Sequence, residues 1–454
     1  MIYGQLPAAR RQELHRRIAL REEAAYGLQA TQIAGRLAIH FEQAQDATAA
    51  VRYRVHASRN ALAVGGYREV LGHAAAGLDR LAAVPAGTER NEHALALQLF
   101  LGMAAAATQG FAAARAERAY GRALEISRDA PNTPASTGTL FGLYAYHLMR
   151  GRIPQAQDIA AQILSGGTQA GAPASIVWGR IAVGVASLHA GDVSAARAAL
   201  EAARAVYDPR QRPVHASIHP LEPDMLCLAH LSWCLWLLGY PAEALARSRA
   251  AVRAAERTGQ PGDRACALLF ASFLHAFRRE GAPACACGRA ALEVSTKYEL
   301  HQWLAPSTIA HGWGRAARGE VTEGIADMRS GIEAWRAVGA DYGVPMNLAL
   351  LADVLGRHGE VEDALKAVDE ALRLAQANDD RFWEPEISHP RRDPLRHCVD
   401  RSIEGCAAGD RKGPRRARPR AGAGPHAAGP GIGAAGGDEP TTLHVRSSSS
   451  HGDR

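Results

Sequence analysis

Glycine recurs along this chain at Gly65, Gly110, Gly151, Gly191, Gly239, Gly281, Gly319 and Gly359, at intervals of 45, 41, 40, 48, 42, 38 and 40 residues. A repeat of this length constrains the fold strongly, because each unit must be one supersecondary element that buries its apolar face against its neighbours. Five residues after most of these glycines stands a small residue: Ala156, Ala196, Ala244, Ala286, Gly324 and Ala364. Four further on come Ala160, Leu200, Ser248, Ala290, Met328 and Val368. Each unit reads as an apolar helix, a glycine turn and a second, amphipathic helix. In Leu350–Leu372 the side chains of Leu351, Ala352 and Leu355 form a stripe on the first helix, and Gly359 supplies the left-handed residue that ends it. Ala364, Val368 and Ala371 form the packing stripe of the second. The expected fold is all-α: a right-handed superhelical solenoid of antiparallel helix hairpins of the tetratricopeptide (TPR) type. It has about eight units over residues 30–386. The period exceeds the ~34 residues of the standard unit, and Tyr207–Pro223, rich in Pro and His, reads as an insertion between units.

Composition agrees with helix and narrows the partners. Aromatic residues make up 6% of the chain, and alanine, leucine and arginine dominate. Arginine outnumbers lysine 49 to 3, the bias of a GC-rich bacterial genome. Of the net charge of +6, the stretch from Ser388 onward contributes +5, with 12 Lys/Arg against 7 Asp/Glu. The body is near neutral, which argues against nucleic acid as its partner. The seven cysteines hold one close pair, Cys285 and Cys287, and no second pair at zinc spacing. Free thiols, together with a charged segment Met1–Arg21 that lacks an apolar stretch, point to the cytoplasm. Met225–Ala242 runs eighteen residues without a formal charge, yet it coincides with the first helix and turn of one repeat, so no membrane span is expected. His189, His215, His219 and His230 match no ligand spacing and are expected as solvated loop residues. No metal, no cofactor and no catalytic residue is expected.

Particular strings carry a family resemblance. LPAARRQELHRRIA, GLYAYHLMRGRIPQAQDIAAQIL, LCLAHLSWCLWLLGYPAEALARSRAAV and GIADMRSGIEAWRAVGADYGVP resemble the C-terminal TPR-like region of large bacterial STAND-type signalling ATPases. In that family an ATPase core, often joined to a class III adenylate/guanylate cyclase or a winged-helix regulator domain, precedes the repeats. The resemblance implies that residues 1–29 form a helical segment like the end of the ATPase arm. It also implies a regulatory, non-enzymatic role in protein–protein interaction or effector sensing. No G-x-x-x-x-G-K-[ST] loop is present, the single lysine beside a glycine being Lys412, and no paired-aspartate cyclase signature appears. The ATPase or cyclase would then be a separately encoded partner. The other reading the sequence permits is a fragment of such a gene without independent function.

Residues 387–454 change character to Pro, Gly, Arg and Ala without helical period. They read as a disordered basic tail, as a nucleic-acid-binding arm, or as the product of a frameshift near Ser388: HPRRDPL and GIGAAGGDEPTT, shifted by one nucleotide with GC-rich codons, can both yield helical strings. Loss of the last repeats would leave Leu350–Ala377 with an open apolar edge and a tendency to self-associate.

In a TPR array the first helix of each hairpin lines the concave face. Counted back from the turn glycine, Phe141 lies ten residues before, Trp178 thirteen, Trp233 six, Trp236 three and Trp313 six, all inward-facing positions. These five are the candidate groove for a protein or peptide, the alternative being that their rings fill gaps between repeats.

Overall fold

The computed structural model describes residues 6–109, 113–127 and 134–384. Gly110 and the tail from Ser388, with its expected disorder and frameshift, lie outside the described residues. Among these residues the chain forms α-helices and short 3-10 turns and no strand. The helices are α1 (Ala8–Tyr26), α2 (Ala34–Gln43), α3 (Ala47–Ala63), α4 (Tyr67–Arg80), α5 (Thr88–Gln109), α6 (Ala114–Ser127), α7 (Pro134–Met149), α8 (Ile153–Gln169), α9 (Pro173–His189) and α10 (Val193–Val206). They continue with α11 (Arg212–Ile218), α12 (Pro223–Leu237), α13 (Pro241–Thr258), α14 (Pro261–Phe277), α15 (Gly281–Lys297), α16 (His301–Ala316), α17 (Val321–Ala337), α18 (Val344–Arg357) and α19 (Val361–Asn378). From α7 onward they pair as antiparallel hairpins, with α11 the extra element inside the Tyr207–Pro223 insertion.

The periodic glycine has a backbone cause. At Gly191 the chain takes φ +88°, its N–H donates to Leu188 O, and the Asp192 N–H donates to Ser187 O. This pair of bonds satisfies two of the carbonyls that the end of α9 leaves open, and it requires a left-handed residue. The same bonds form at Gly151 and Gly239. Proline then opens α9, α12, α13 and α14 within the first turn, where its missing N–H costs nothing.

One turn departs from the expected series. Gly281 is not a turn residue but the first residue of α15; the left-handed position is Arg279, at φ +61°. Arg279 N–H donates to Ala276 O and Glu280 N–H to His275 O, the bonds glycine makes elsewhere, while the guanidinium pairs with Asp353. The packing positions of α15 therefore shift by two residues: Ala284 and Gly288 are buried and Ala286 is exposed.

The first helices of the hairpins are buried nearly all round, as along Met225–Leu235 of α12, whereas the second helices bury one stripe, as Ala196, Leu200 and Ala203 do in α10. Each first helix touches the next, α12 against α14 and α14 against α16, so these helices line the inside of the superhelix. Small residues set the spacing. A Cβ on Gly324 of α17 would sit 2.5 Å from Gly312 O and 2.6 Å from Ala316 N. Among the described residues no helix is long and apolar enough to cross a membrane; Met225–Ala242 forms α12 and the start of α13.

The end of the array also differs from expectation. Val344–Leu355 of α18 is buried over most of its length, and Leu365 is the one exposed large apolar side chain of the last hairpin among the described residues. After α19 the chain turns at Asp379, φ +52°, and drives Phe382 and Trp383 inward.

Candidate functional site

The superhelix closes on itself, and that closure makes the site. The loop after α17 reaches the end of α7, where Asp341 and Tyr342 N–H donate to Met149 O at 2.9 and 3.1 Å. The segment after α19 reaches the end of α9, where Arg381 and Phe382 N–H donate to His189 O at 2.7 and 3.2 Å. Both contacts fall beside turn glycines. A Cβ on Gly151 would lie 2.8 Å from Asn378 Cγ, and one on Gly191 3.0 Å from Arg381 Cβ. At these two positions glycine meets the demands of the turn and of the closure together.

His189 ties the closure. It is 1% exposed, its Nδ1 lies 3.0 Å from Asp380 Oδ1, and its ring packs on Tyr342 and Phe382. The Asp380 carboxylate accepts the Nδ1 proton; Nε2 has no hydrogen-bond partner in the protein. Trp233 is held between Phe270, 4.4 Å away, and Phe382, 5.6 Å away, both stacked, and its Nε1 donates to Phe270 O. Trp383 packs on Phe277 at 4.3 Å.

Inside this closure lies a cavity of about 240 Å³. Its walls come mainly from α7, α9, α12, α14, α16 and α18, with Tyr342 and Phe382 from the closing segments and further residues from α4, α5, α6, α11 and α17. The lining is overwhelmingly apolar and contains no Asp, Glu, Lys or Arg. Burial lowers the pKa of the lining histidines, His219 to about 3 and His230 to about 4, so both are neutral at pH 7. Burial also raises the Tyr144 phenol well above its usual range and keeps it protonated. Tyr144 Oη, His189 Nε2, Asn347 Oδ1 and Trp303 Nε1 are buried atoms of lining residues without a hydrogen-bond partner.

A second, more polar cleft of about 590 Å³ shares Tyr67, Ile218, Leu221 and Gln302 with the cavity. It is lined also by Arg59, Arg212, Glu222 and Asp263. Glu222 accepts from Tyr207 Oη, pairs with Arg212 at 3.4 Å, and gives its N–H to Asp263 Oδ1 at 2.9 Å. Burial raises the pKa of both carboxyls.

The five candidate groove residues divide. Phe141 and Trp233 line the cavity. Trp178 is fully buried, edge-on to Phe141 at 4.8 Å and beside His219, and Trp313 is buried in the same core cluster. Trp236 is partly buried and lies under the Arg278 guanidinium. The histidines correct an expectation: His189, His215 and His230 are buried rather than solvated, His215 because α11 of the Tyr207–Pro223 insertion packs against α7 and α9, His189 because Tyr342 and Phe382 cover it, and His230 because it lies within α12 against Phe270. Tyr144, His189, Tyr342, Asn347 and Phe382 were not singled out by the repeat pattern. Two aromatics just past the last helix, Phe382 and Trp383, were the one visible signal.

No family model matches the chain. An uncharacterized protein of Rhizobium meliloti is 24% identical over 418 residues, covering 90% of this chain and 39% of its own length. The chain thus spans about two fifths of the curated relative it matches. Among solved structures, a Rap protein complexed with competence and sporulation factor superposes with TM-score 0.56 at 13% identity, covering 82% of this chain and 98% of its own. That likeness shows the fold: a TPR-like helical solenoid. A STAND protein with a tetratricopeptide repeat sensor from Pyrococcus horikoshii is a weaker match, with TM-score 0.40 at 11% identity over 76% of this chain and 54% of its own.

Proposed function

We propose that this chain is a non-catalytic helical-repeat regulator that binds a protein partner and senses an effector in the interior of its superhelix. One observation carries the reading: Tyr342, Phe382 and His189 close the superhelix and are also walls of the cavity. Whatever occupies the cavity therefore bears directly on the contacts that set the shape of the array, and a solenoid presents its partner surface through that shape. The resemblance to the repeat region of STAND-type ATPases supports a signalling role in the bacterial cytoplasm. The Rap protein solved with competence and sporulation factor offers a similarly built solenoid that holds a factor. The partner on this reading is a separately encoded ATPase or nucleotide cyclase.

The test uses the full chain. Purified protein is expected to show no ATP hydrolysis and no cyclic-nucleotide formation, and to bind an ATPase or cyclase from the same genome saturably. Turnover that survives purification and scales with protein concentration overturns the non-catalytic role. Absence of saturable binding to every such candidate overturns the regulatory one.

A further inference from the structure

The polar cleft, unlike the aromatic cavity, offers charged and apolar groups that solvent reaches. Its border comes from the end of α3 and the turn into α4, from α5, from α11 and the chain leading into α12, and from the segments around the starts of α14 and α16. At about 590 Å³ it has the size of a small-molecule site. Val64 and Tyr298 on this border are 79% and 45% exposed. Leu62, Leu221 and Leu300 border the same cleft and extend its apolar surface. Apolar side chains gathered in an open cleft gain from a molecule that removes them from water.

The charges of the cleft are unequally placed. Glu222 and Asp263 are 8% and 1% exposed and are engaged within the wall, Glu222 by Tyr207 and Arg212 and Asp263 by the Glu222 N–H. Arg59 is exposed, and among the described residues no ion pair or hydrogen bond holds its guanidinium. The Arg212 side chain stays 44% exposed beside its pair with Glu222. A molecule entering from solvent therefore meets guanidinium rather than carboxylate. The planar guanidinium fork matches a carboxylate with two parallel N–H bonds. An apolar surface and an unpaired cation in one cleft together select an amphipathic anion: a cation is repelled by Arg59, and an uncharged molecule gains only the apolar part.

We propose that this cleft binds a small amphipathic monocarboxylate, its apolar body against Val64, Tyr298 and Leu300 and its carboxylate on the guanidiniums of Arg59 and Arg212. This site is additional to the aromatic cavity and does not rest on the regulatory reading above; its test measures ligand binding alone.

Three probes with equal chains and different heads decide it: octanoate, 1-octanol and octylammonium, each titrated into the full chain by calorimetry. Octanoate is expected to bind saturably, about fivefold more tightly than octanol, the factor of an ion pair at a partly exposed site. Octylammonium is expected to bind more weakly than octanol. Arg59→Gln alters an exposed, unpaired side chain, so the protein stays folded; it should remove most of the preference for octanoate and leave octanol binding unchanged. Val64→Ser trims the apolar border at an exposed position and should weaken octanoate and octanol alike, severalfold. The proposal is overturned if octanoate does not saturate at millimolar concentration, or if octylammonium binds as tightly as octanoate. It is also overturned if Arg59→Gln leaves octanoate binding unchanged or weakens octanoate and octanol equally, or if Val64→Ser changes neither.

Discussion

Replacing glycine by alanine inside an exposed helix stabilises it by about 1 kcal/mol, and Gly314 in the middle of α16 is a place where that rule should reverse. A Cβ there would lie 2.5 Å from Cys285 N, and closer still to its Cα, whereas ordinary contact begins near 3.4 Å. The obstacle is backbone, so no rotamer change removes it, and α15 and α16 must part by roughly 1 Å. Overpacking of this kind costs about 1–3 kcal/mol and often more where backbone has to move. Against the propensity gain, Gly314→Ala should destabilise by about 1–2 kcal/mol net, which lowers the melting midpoint by roughly 2–4 °C in a chain of this size. Gly72→Ala is the internal control. It lies in α4, where an added Cβ would meet nothing within 4 Å, and should raise the midpoint by about 1–2 °C through propensity alone. Both variants are followed by far-ultraviolet circular dichroism on heating. A Gly314→Ala protein as stable as the wild type, with Gly72→Ala stabilised, would show that α15 and α16 yield without cost at their closest approach and refute the reasoning.

Three further perturbations test other parts of the fold. His230 is neutral in the folded chain down to about pH 4, whereas an unfolded histidine takes up its proton near 6.5; the unfolded state therefore binds more protons between these values, and stability falls as pH is lowered. The share of His230 in that loss amounts to about 2 kcal/mol at pH 5, read from urea midpoints at pH 7 and 5, and His230→Gln should reduce the difference by about that amount, leaving the share of His219, whose pKa burial lowers to about 3. Phe382→Ala removes a ring stacked on Trp233. It should cost about 3 kcal/mol and shift tryptophan emission to the red, whereas an unchanged spectrum would mean the closure does not cover Trp233. Gly239→Ala forces a side chain to φ +84° where space is open, so its cost of about 1–2 kcal/mol is conformational, and Gly239→Asn should recover part of it.

The repeat was legible because it answers to one local requirement. A helix that ends by giving its last carbonyls to the next two N–H groups needs a left-handed residue at one position, and the glycines mark it. The rule failed at Arg279 for the same reason it worked elsewhere: backbone geometry, not residue identity, defines the turn, and a non-glycine can hold it when the hydrogen bonds form. Gly281, two residues on, then drew the register with it and moved the packing positions from Ala284 and Gly288 to Ala286 and Ala290. The lining of the cavity was legible only in part. Inward-facing positions in a first helix can be read from spacing, which places Phe141 and Trp233 on the cavity. Spacing gives no information on whether a facing ring meets open space or another repeat, and Trp178 and Trp313 meet protein.

What the periodicity could not contain is the return of the superhelix upon itself. The bonds from Tyr342 to Met149 and from Phe382 to His189 join residues about 190 positions apart, and they arise from accumulated small rotations between neighbouring hairpins rather than from any single unit. That long-range closure adds Tyr342 and Phe382 to the cavity wall, and it buries His189 beneath them. The insertion is buried differently, through α11 packing on the neighbouring first helices α7 and α9. The closure also separates two kinds of control. In an open solenoid a ligand acts on the repeats it touches; in this one the same residues line the cavity and latch the turn, so an occupant that stabilises Tyr342 and Phe382 in place stabilises the closed form as a whole. By linkage the reverse holds as well. A partner protein that prefers the closed superhelix must tighten effector binding by the same factor that the effector tightens the partner, and measuring one coupling predicts the other.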